Sequence, residues 1–437
     1  MLIIQPLPPI FSRFDPTHSR SLVRPPNETV TDHDRIPALD GLRGIAVLLV
    51  MIYHFSYAWI FSASPVDAVY ARLSGAGWMG VDLFFVLSGF LITGILADSR
   101  ERDGYFSSFY GRRVLRIFPL YYAFVLLIVP LSAHLLAGDL APDVAELRAK
   151  SGWYLGYAVN FLVALQDGWK ATVLHTSHLW SLAVEEQFYL LWPPLVFLLS
   201  RRALIRVSAV LVMAALAARI ALLAADVGPV VGYVLPFTRM DALLIGGLVA
   251  LMARELGSIA PLARHVPRTL LGAGLVAAAT LATAAPRQSW TSPWVQTLGL
   301  TAIAIFFAAA LVAAVASSES SRWGRFLRAP SLRTFGKYSY ALYIFHPLVL
   351  GVLQANGWGA ARFASLGVGV QIGVHLIFTA FATLVTLAVA WLSWNLMEKH
   401  FLKLKHRFST RPKAVAAAVP AVSEAVTGTG QLPISIP

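Results

Sequence analysis

The stretch Leu42-Arg-Gly-Ile-Ala-Val-Leu-Leu-Val-Met-Ile-Tyr-His-Phe-Ser-Tyr-Ala-Trp-Ile-Phe61 carries one cation at its start, one imidazole near its middle and no carboxylate. At a rise of about 1.5 Å per residue it is long enough to cross the ~30 Å of hydrocarbon in a bilayer. Nine more apolar runs follow it: Met79 to Ala97, Ile117 to Leu136, Leu179 to Leu199, Ala203 to Ala225, Gly232 to Ala253, Thr269 to Ala285, Val295 to Ser317, Tyr338 to Ala355 and Gln371 to Asn395. Trp153 to Leu165 is apolar but too short to cross, and reads as a re-entrant or interfacial segment. The composition agrees. Of 437 residues, 57% are hydrophobic and 13% charged, with a mean hydropathy of +0.67, which excludes an ordinary soluble globular chain.

Charge sets the orientation. The 35 Lys and Arg outnumber the 22 Asp and Glu, giving +13. Such an excess suits nucleic acid as well as basic cytoplasmic loops. Ten spans with the N-terminus inside put 27 of the 35 on one side, so the charge is a topology signal and no nucleic acid is predicted. The predicted fold class is all-α, a polytopic membrane helical bundle with about ten transmembrane helices and both termini cytoplasmic, in the plasma or inner membrane. Residues 1–35 mix Pro, Arg, Asp and Ser without periodicity and read as a disordered cytoplasmic N-terminus. Residues 36–400 form the integral-membrane domain, and 401–437 a basic, then disordered, cytoplasmic tail. Met1 to Pro9 is too short and too Pro-interrupted for a signal-peptide core, so the first span is expected to stay uncleaved. With no cysteine, neither a disulfide nor a thiol nucleophile is available. The sequence sets no oligomeric state.

An ionisable group at membrane depth costs at least about 2.5 kcal/mol on insertion scales, so these positions mark structure or function. Arg43 and His54 are eleven residues apart, close to three helical turns, and share one face with roughly 16 Å between them. Arg43 then sits at the cytoplasmic headgroup level and His54 near mid-membrane, an arrangement suited to a substrate with an anionic end and a deep reactive end. The alternative is a snorkelling anchor and a structural histidine. Glu185 and Glu186 enter the fourth span to a similar depth. A carboxylate there can orient an imidazole or pair with Arg219 or Arg239. His346, before Pro347 and one turn after Tyr343, can contact substrate or satisfy carbonyls freed by the proline. Arg112 and Arg116, spaced i to i+4, share a face with room for phosphate, or for lipid headgroups. Asp82 lies at the outer rim of the second span, Ser88 and Gly89 form a small-residue packing patch, and Arg239 with Asp241 reads as a buried structural pair.

Four stretches together, Pro37 to His54, Gly77 to Ile92, Phe109 to Pro119 and His178 to Tyr189, resemble the membrane acyltransferase-3 family. Arg239-x-Asp241-x-Leu-x-x-Gly246 and Tyr343 to Pro347 match less strongly, and the resemblance covers roughly residues 35–400. Members of that family include O-acetyltransferases of lipopolysaccharide, exopolysaccharide and other glycans. The resemblance implies transfer of an acyl group, acetyl most commonly, from cytoplasmic acyl-CoA to a hydroxyl of a sugar, glycan or glycolipid acceptor, with no metal. Carried over, it makes His54 the catalytic histidine and Arg43 its partner, and makes Arg112, Arg113 and Arg116 contacts for coenzyme A phosphates. Asp40, Asp82, Glu185, Glu186 and His346 are motif positions. Some relatives add an extracytoplasmic esterase-like domain; no room for one is expected after Phe401, so a two-step relay within one chain is not expected. The rival reading is a proton-coupled transporter using buried His, Glu and Asp. It accounts for neither the register of Arg43 with His54 nor the arginine cluster.

Overall fold

The computed structural model describes residues 36–57, 65–131, 141–166, 168–172, 176–285, 288–359, 362 and 368–409. The predicted N-terminal segment 1–35, Arg287 and the tail beyond residue 409 lie outside them. Every regular element among the described residues is a helix. The first half holds α1 (Pro37–Tyr57), α2 (Pro65–Gly75), α3 (Gly80–Ser99), α4 (Tyr105–Ala123), α5 (Leu179–Leu198) and α6 (Arg201–Ala224). The second holds α7 (Pro236–Glu255), α8 (Val266–Ala282), α9 (Leu300–Ala316), α10 (Pro330–Ala355) and α11 (Val368–Ser393). Each of the ten predicted runs is mainly helical in its described residues. Among the described residues, 7 helical stretches are long and apolar enough to cross a membrane; α5, α8 and α10 supply the other three runs. Trp153 to Leu165 is broken into Ser151–Leu155 and Val159–Leu165, each far short of a crossing. The chain is an integral membrane protein.

Local chemistry sets the helix ends. Ser200 accepts a hydrogen bond from the Ala203 amide and caps α6, so the chain turns there and Arg201 and Arg202 reach Glu255 at the end of α7. Proline occupies the first turn of α7 and α10, where no amide proton is needed.

Two helix pairs form the centre: α1 with α10, and α3 with α7. Both pack on glycine. A Cβ on Gly336 would lie 1.9 Å from the Asp40 carbonyl oxygen, and one on Gly44 2.2 Å from that of Leu332. Across the other pair, a Cβ on Gly89 would lie 1.8 Å from the Leu243 oxygen and one on Gly246 2.0 Å from that of Val86. Any side chain at these positions would force the axes apart. Gly89 therefore does the packing predicted for the small-residue patch, while the Ser88 hydroxyl is used elsewhere.

Ion pairs staple α3 to α7 at both ends. Arg239 meets Asp82 at 2.8 Å near the start of the two helices, and Arg254 meets Asp98 at 2.6 Å near their finish. The two helices thus run parallel, as do α1 and α10. The predicted pairing of Arg239 with Asp241 is corrected. Residues two apart on a helix point about 200° apart, so Arg239 turns to α3 while Asp241 faces α6 and takes Arg219 at 2.9 Å.

The basic segment beyond α11 is helical as far as Phe408. After a π-helical turn at Trp394–Glu398, residues Lys399–Lys403 and Leu404–Phe408 continue as helical turns that pack on α4. The Phe408 carbonyl accepts from Ser108 Oγ at 2.8 Å and from Arg112 Nε at 2.7 Å. A Cβ on Gly111 would lie 2.2 Å from the Phe408 ring, so that glycine makes the seat. The folded body therefore extends past residue 400 to Phe408.

Candidate active site

A cavity with about 820 Å³ of empty space, its open mouth included, lies among α1, α3, α4, α5 and α10. Three guanidinium groups line it, from Arg43 on α1 and from Arg113 and Arg116 on α4. Arg113 and Arg116 are three apart and share a helix face. Arg113 is held over the rings of Phe109 and Tyr189, 5.9 and 5.4 Å from their centroids. Arg43 reaches back 3.5 Å to Asp40, which leaves most of its donors for a ligand. Arg112, predicted beside Arg116, is spent on the Phe408 carbonyl and does not line the cavity. The one-residue step turns it about 100° from Arg113.

Beside these arginines the cavity carries a hydroxyl and carboxylate cluster. Ser88 Oγ donates to Glu185 at 2.5 Å, Tyr189 donates to the same carboxylate, and the two hydroxyl oxygens are 2.5 Å apart. Glu185 thus has hydroxyls as its hydrogen-bond partners, not an imidazole, and it pairs with neither Arg219 nor Arg239. Its neighbours were not legible in the sequence, because α3 supplies one of them from nearly a hundred residues away. Glu186 does not line the cavity and makes no hydrogen bond or ion pair among the described residues.

The histidines lie behind the wall. Tyr343 lines the cavity, bonds Ser181 Oγ at 2.5 Å and donates to the His178 carbonyl at 3.1 Å. Its ring centroid is 5.6 Å from that of His346, which is 4.7 Å from that of His54 and 5.4 Å from that of His178. His54 Nδ1 lies 2.9 Å from the Val50 carbonyl. A carbonyl only accepts, so in the neutral ring Nδ1 carries the proton and Nε2 keeps its lone pair. His346 repeats the arrangement, with Nδ1 2.8 Å from the Tyr343 carbonyl, the oxygen that Pro347 cannot serve.

The structure thus gathers Arg43, Arg113, Arg116, Ser88, Glu185 and Tyr343 at one cavity, with His346 behind Tyr343, His54 next to His346 and Asp40 behind Arg43. Asp82, Arg239 and Asp241 belong to the helix staples. Sequence reasoning passed over His178, Ser181 and Tyr189 as site residues. Their spacing with Glu185, at three- and four-residue steps, is the signal that would have found them on one face of α5 and the turn before it.

The helices thus seat a cationic cavity beside a group of three histidines, His54, His178 and His346. The chain belongs to the acyltransferase-3 family: that family's model, described as an acyltransferase domain, matches residues 36–395. Among its relatives, O-acetyltransferase OatA of Staphylococcus aureus is 30% identical over 332 residues, covering 72% of this chain and 51% of the relative. Peptidoglycan O-acetyltransferase OatA of Listeria monocytogenes is 28% identical over 347 residues, covering 74% and 52%. The chain spans about half the length of these curated relatives. No solved structure matches it.

Proposed function

We propose that this chain moves an acyl group, acetyl as in the names of its relatives, from cytoplasmic acyl-coenzyme A to a hydroxyl of an envelope glycan. Those names favour peptidoglycan over lipopolysaccharide, exopolysaccharide or a glycolipid. The observation that carries the reading is the convergence of Arg43, Arg113 and Arg116 on one cavity whose far wall, at Tyr343, backs onto His54 and His346. Guanidinium forks suit the donor's phosphates. The lone pair on His54 Nε2 takes the acceptor's hydroxyl proton as that oxygen attacks the thioester carbon. The carbon–sulfur bond then breaks, and the thiolate leaves with the proton returned from His54.

The proposed topology has ten spans with both ends cytoplasmic, which puts the mouth of Arg113 and Arg116 on the donor's side. Its support is the charge asymmetry together with parity. Parallel α3 and α7 require an odd number of crossings between them, and α4, α5 and α6 are the long helices there.

Membrane vesicles given labelled acetyl-coenzyme A test the reading. Wild type should transfer label to the glycan fraction and His54→Ala should not; equal transfer by both would sink it. Label held on wild-type protein without acceptor, and absent from His54→Ala, would replace direct transfer by an acyl-histidine route.

A further inference from the structure

The mechanism uses one imidazole, and the structure holds a second against it. The His54 and His346 rings meet edge to face at 4.7 Å. Each has its Nδ1 committed to a backbone carbonyl of its own helix, which fixes both rings in the same tautomer with the lone pair on Nε2. His346 is fully buried, and its Nε2 has no hydrogen-bond partner among the described residues. A buried acceptor left unserved costs free energy, and a neutral His54 has no Nε2 proton to give it. Protonation of His54 at Nε2 supplies such a donor from the ring that stands nearest to His346.

We infer that His346 is the proton-sharing partner of His54, accepting a hydrogen bond from Nε2–H of His54 during the interval in which His54 holds the acceptor's proton. The inference rests on His54 acting as the base. The acceptor's O–H bond breaks and an N–H bond forms on His54 Nε2; the new ester C–O bond forms and the thioester C–S bond breaks. The proton, held between the two Nε2 atoms, leaves with the thiolate. This is the steadying role that the sequence assigned to Glu185, which is taken up by Ser88 and Tyr189. His346 acts through His54, and is a positioning residue.

No carboxylate pairs with either ring among the described residues. The titratable groups facing the pair from neighbouring elements are His178, at the start of α5, and His375 on α11, which reaches the Phe55 carbonyl at 3.4 Å. Tyr53 on α1 and Tyr343 on α10 flank it on its own helices. None of these is an anion at neutral pH, and His346 is the imidazole whose ring stands in contact with that of His54.

The test compares His346→Phe, which keeps a ring and loses the lone pair, with His346→Gln, whose amide oxygen accepts a hydrogen bond. Coenzyme A release from acetyl-coenzyme A is followed in vesicles containing the glycan, across pH. A charge-assisted hydrogen bond lost only in the charged state lowers kcat by about tenfold to a hundredfold. His346→Phe should show that loss with the donor KM unchanged and the acid limb of the kcat profile moved to lower pH. His346→Gln should recover part of the rate. A folded His346→Phe matching wild type in kcat and acid limb would overturn the inference, as would equal losses in both variants with the limb unmoved. Should the phenyl variant lose its cooperative melt, His346→Leu replaces it with the same two outcomes. His54→Ala, run beside them, separates the two claims: full activity there removes the base itself, whereas an inactive His54→Ala with an unaffected His346→Phe removes the partner alone.

Discussion

Arg112 and Arg113 are adjacent in sequence and differ in use. The first holds the Phe408 carbonyl at the rim of the fold, and the second faces the cavity over the Tyr189 ring. Replacing Arg113 by Ala should raise the donor KM by about tenfold or more, the worth of one hydrogen bond to a charged group. Arg112→Ala should leave the donor KM nearly unchanged and lower the melting temperature instead. Titrating both variants with acetyl-coenzyme A while following thermal stability separates the roles. Arg43 and His54 were legible because both lie on one helix, where spacing alone fixes the face. The partners of Glu185 and of the histidines were not, because a helical position gives a direction and not the residue that waits there. Ser88 shows the limit: its size suggested packing, and its hydroxyl bonds a carboxylate on α5.

At the scale of elements, ten apolar helical runs were readable from length, and one close helix contact from the small pair Ser88 and Gly89. The partner helices were not, since the closest contacts join segments far apart in the chain. The staples between α3 and α7 illustrate the energetics. Asp82 and Arg239 are almost wholly buried, whereas Asp98 is 29% exposed. Removing one partner of a buried pair strands a charge and costs about 3 to 5 kcal/mol. Asp82→Ala should therefore lower stability far more than Asp98→Ala, whose partner can still reach water. Joint replacement, Asp82→Leu with Arg239→Met, should recover much of the loss, because no charge is then left buried. Melting of the four proteins in detergent checks both statements. Gly246→Leu should be worse than any of them, since its first side-chain atom would meet the Val86 backbone.

At the scale of the whole molecule, the last helical turns close on α4, the helix that carries two of the three cavity arginines. Gly111→Leu fills the seat of the Phe408 ring and should loosen that clamp. The expected outcome is a raised donor KM with kcat at saturating donor little changed, measured by coenzyme A release. An unchanged KM in a well-folded variant would mean that α4 holds its place without the clamp.

The parallel pairing of α1 with α10 also sets a timetable. Arg43 and His54 are made among the first helices, and Tyr340, Tyr343 and His346 among the last. At about 5 to 20 residues per second, His54 waits on the order of 15 to 60 s in the membrane before its neighbour exists. Until then α1 has an open glycine face and an imidazole in contact with lipid. A nascent chain of this protein is therefore inert until α10 has been made, and anything that shields α1 during that interval takes the place of α10.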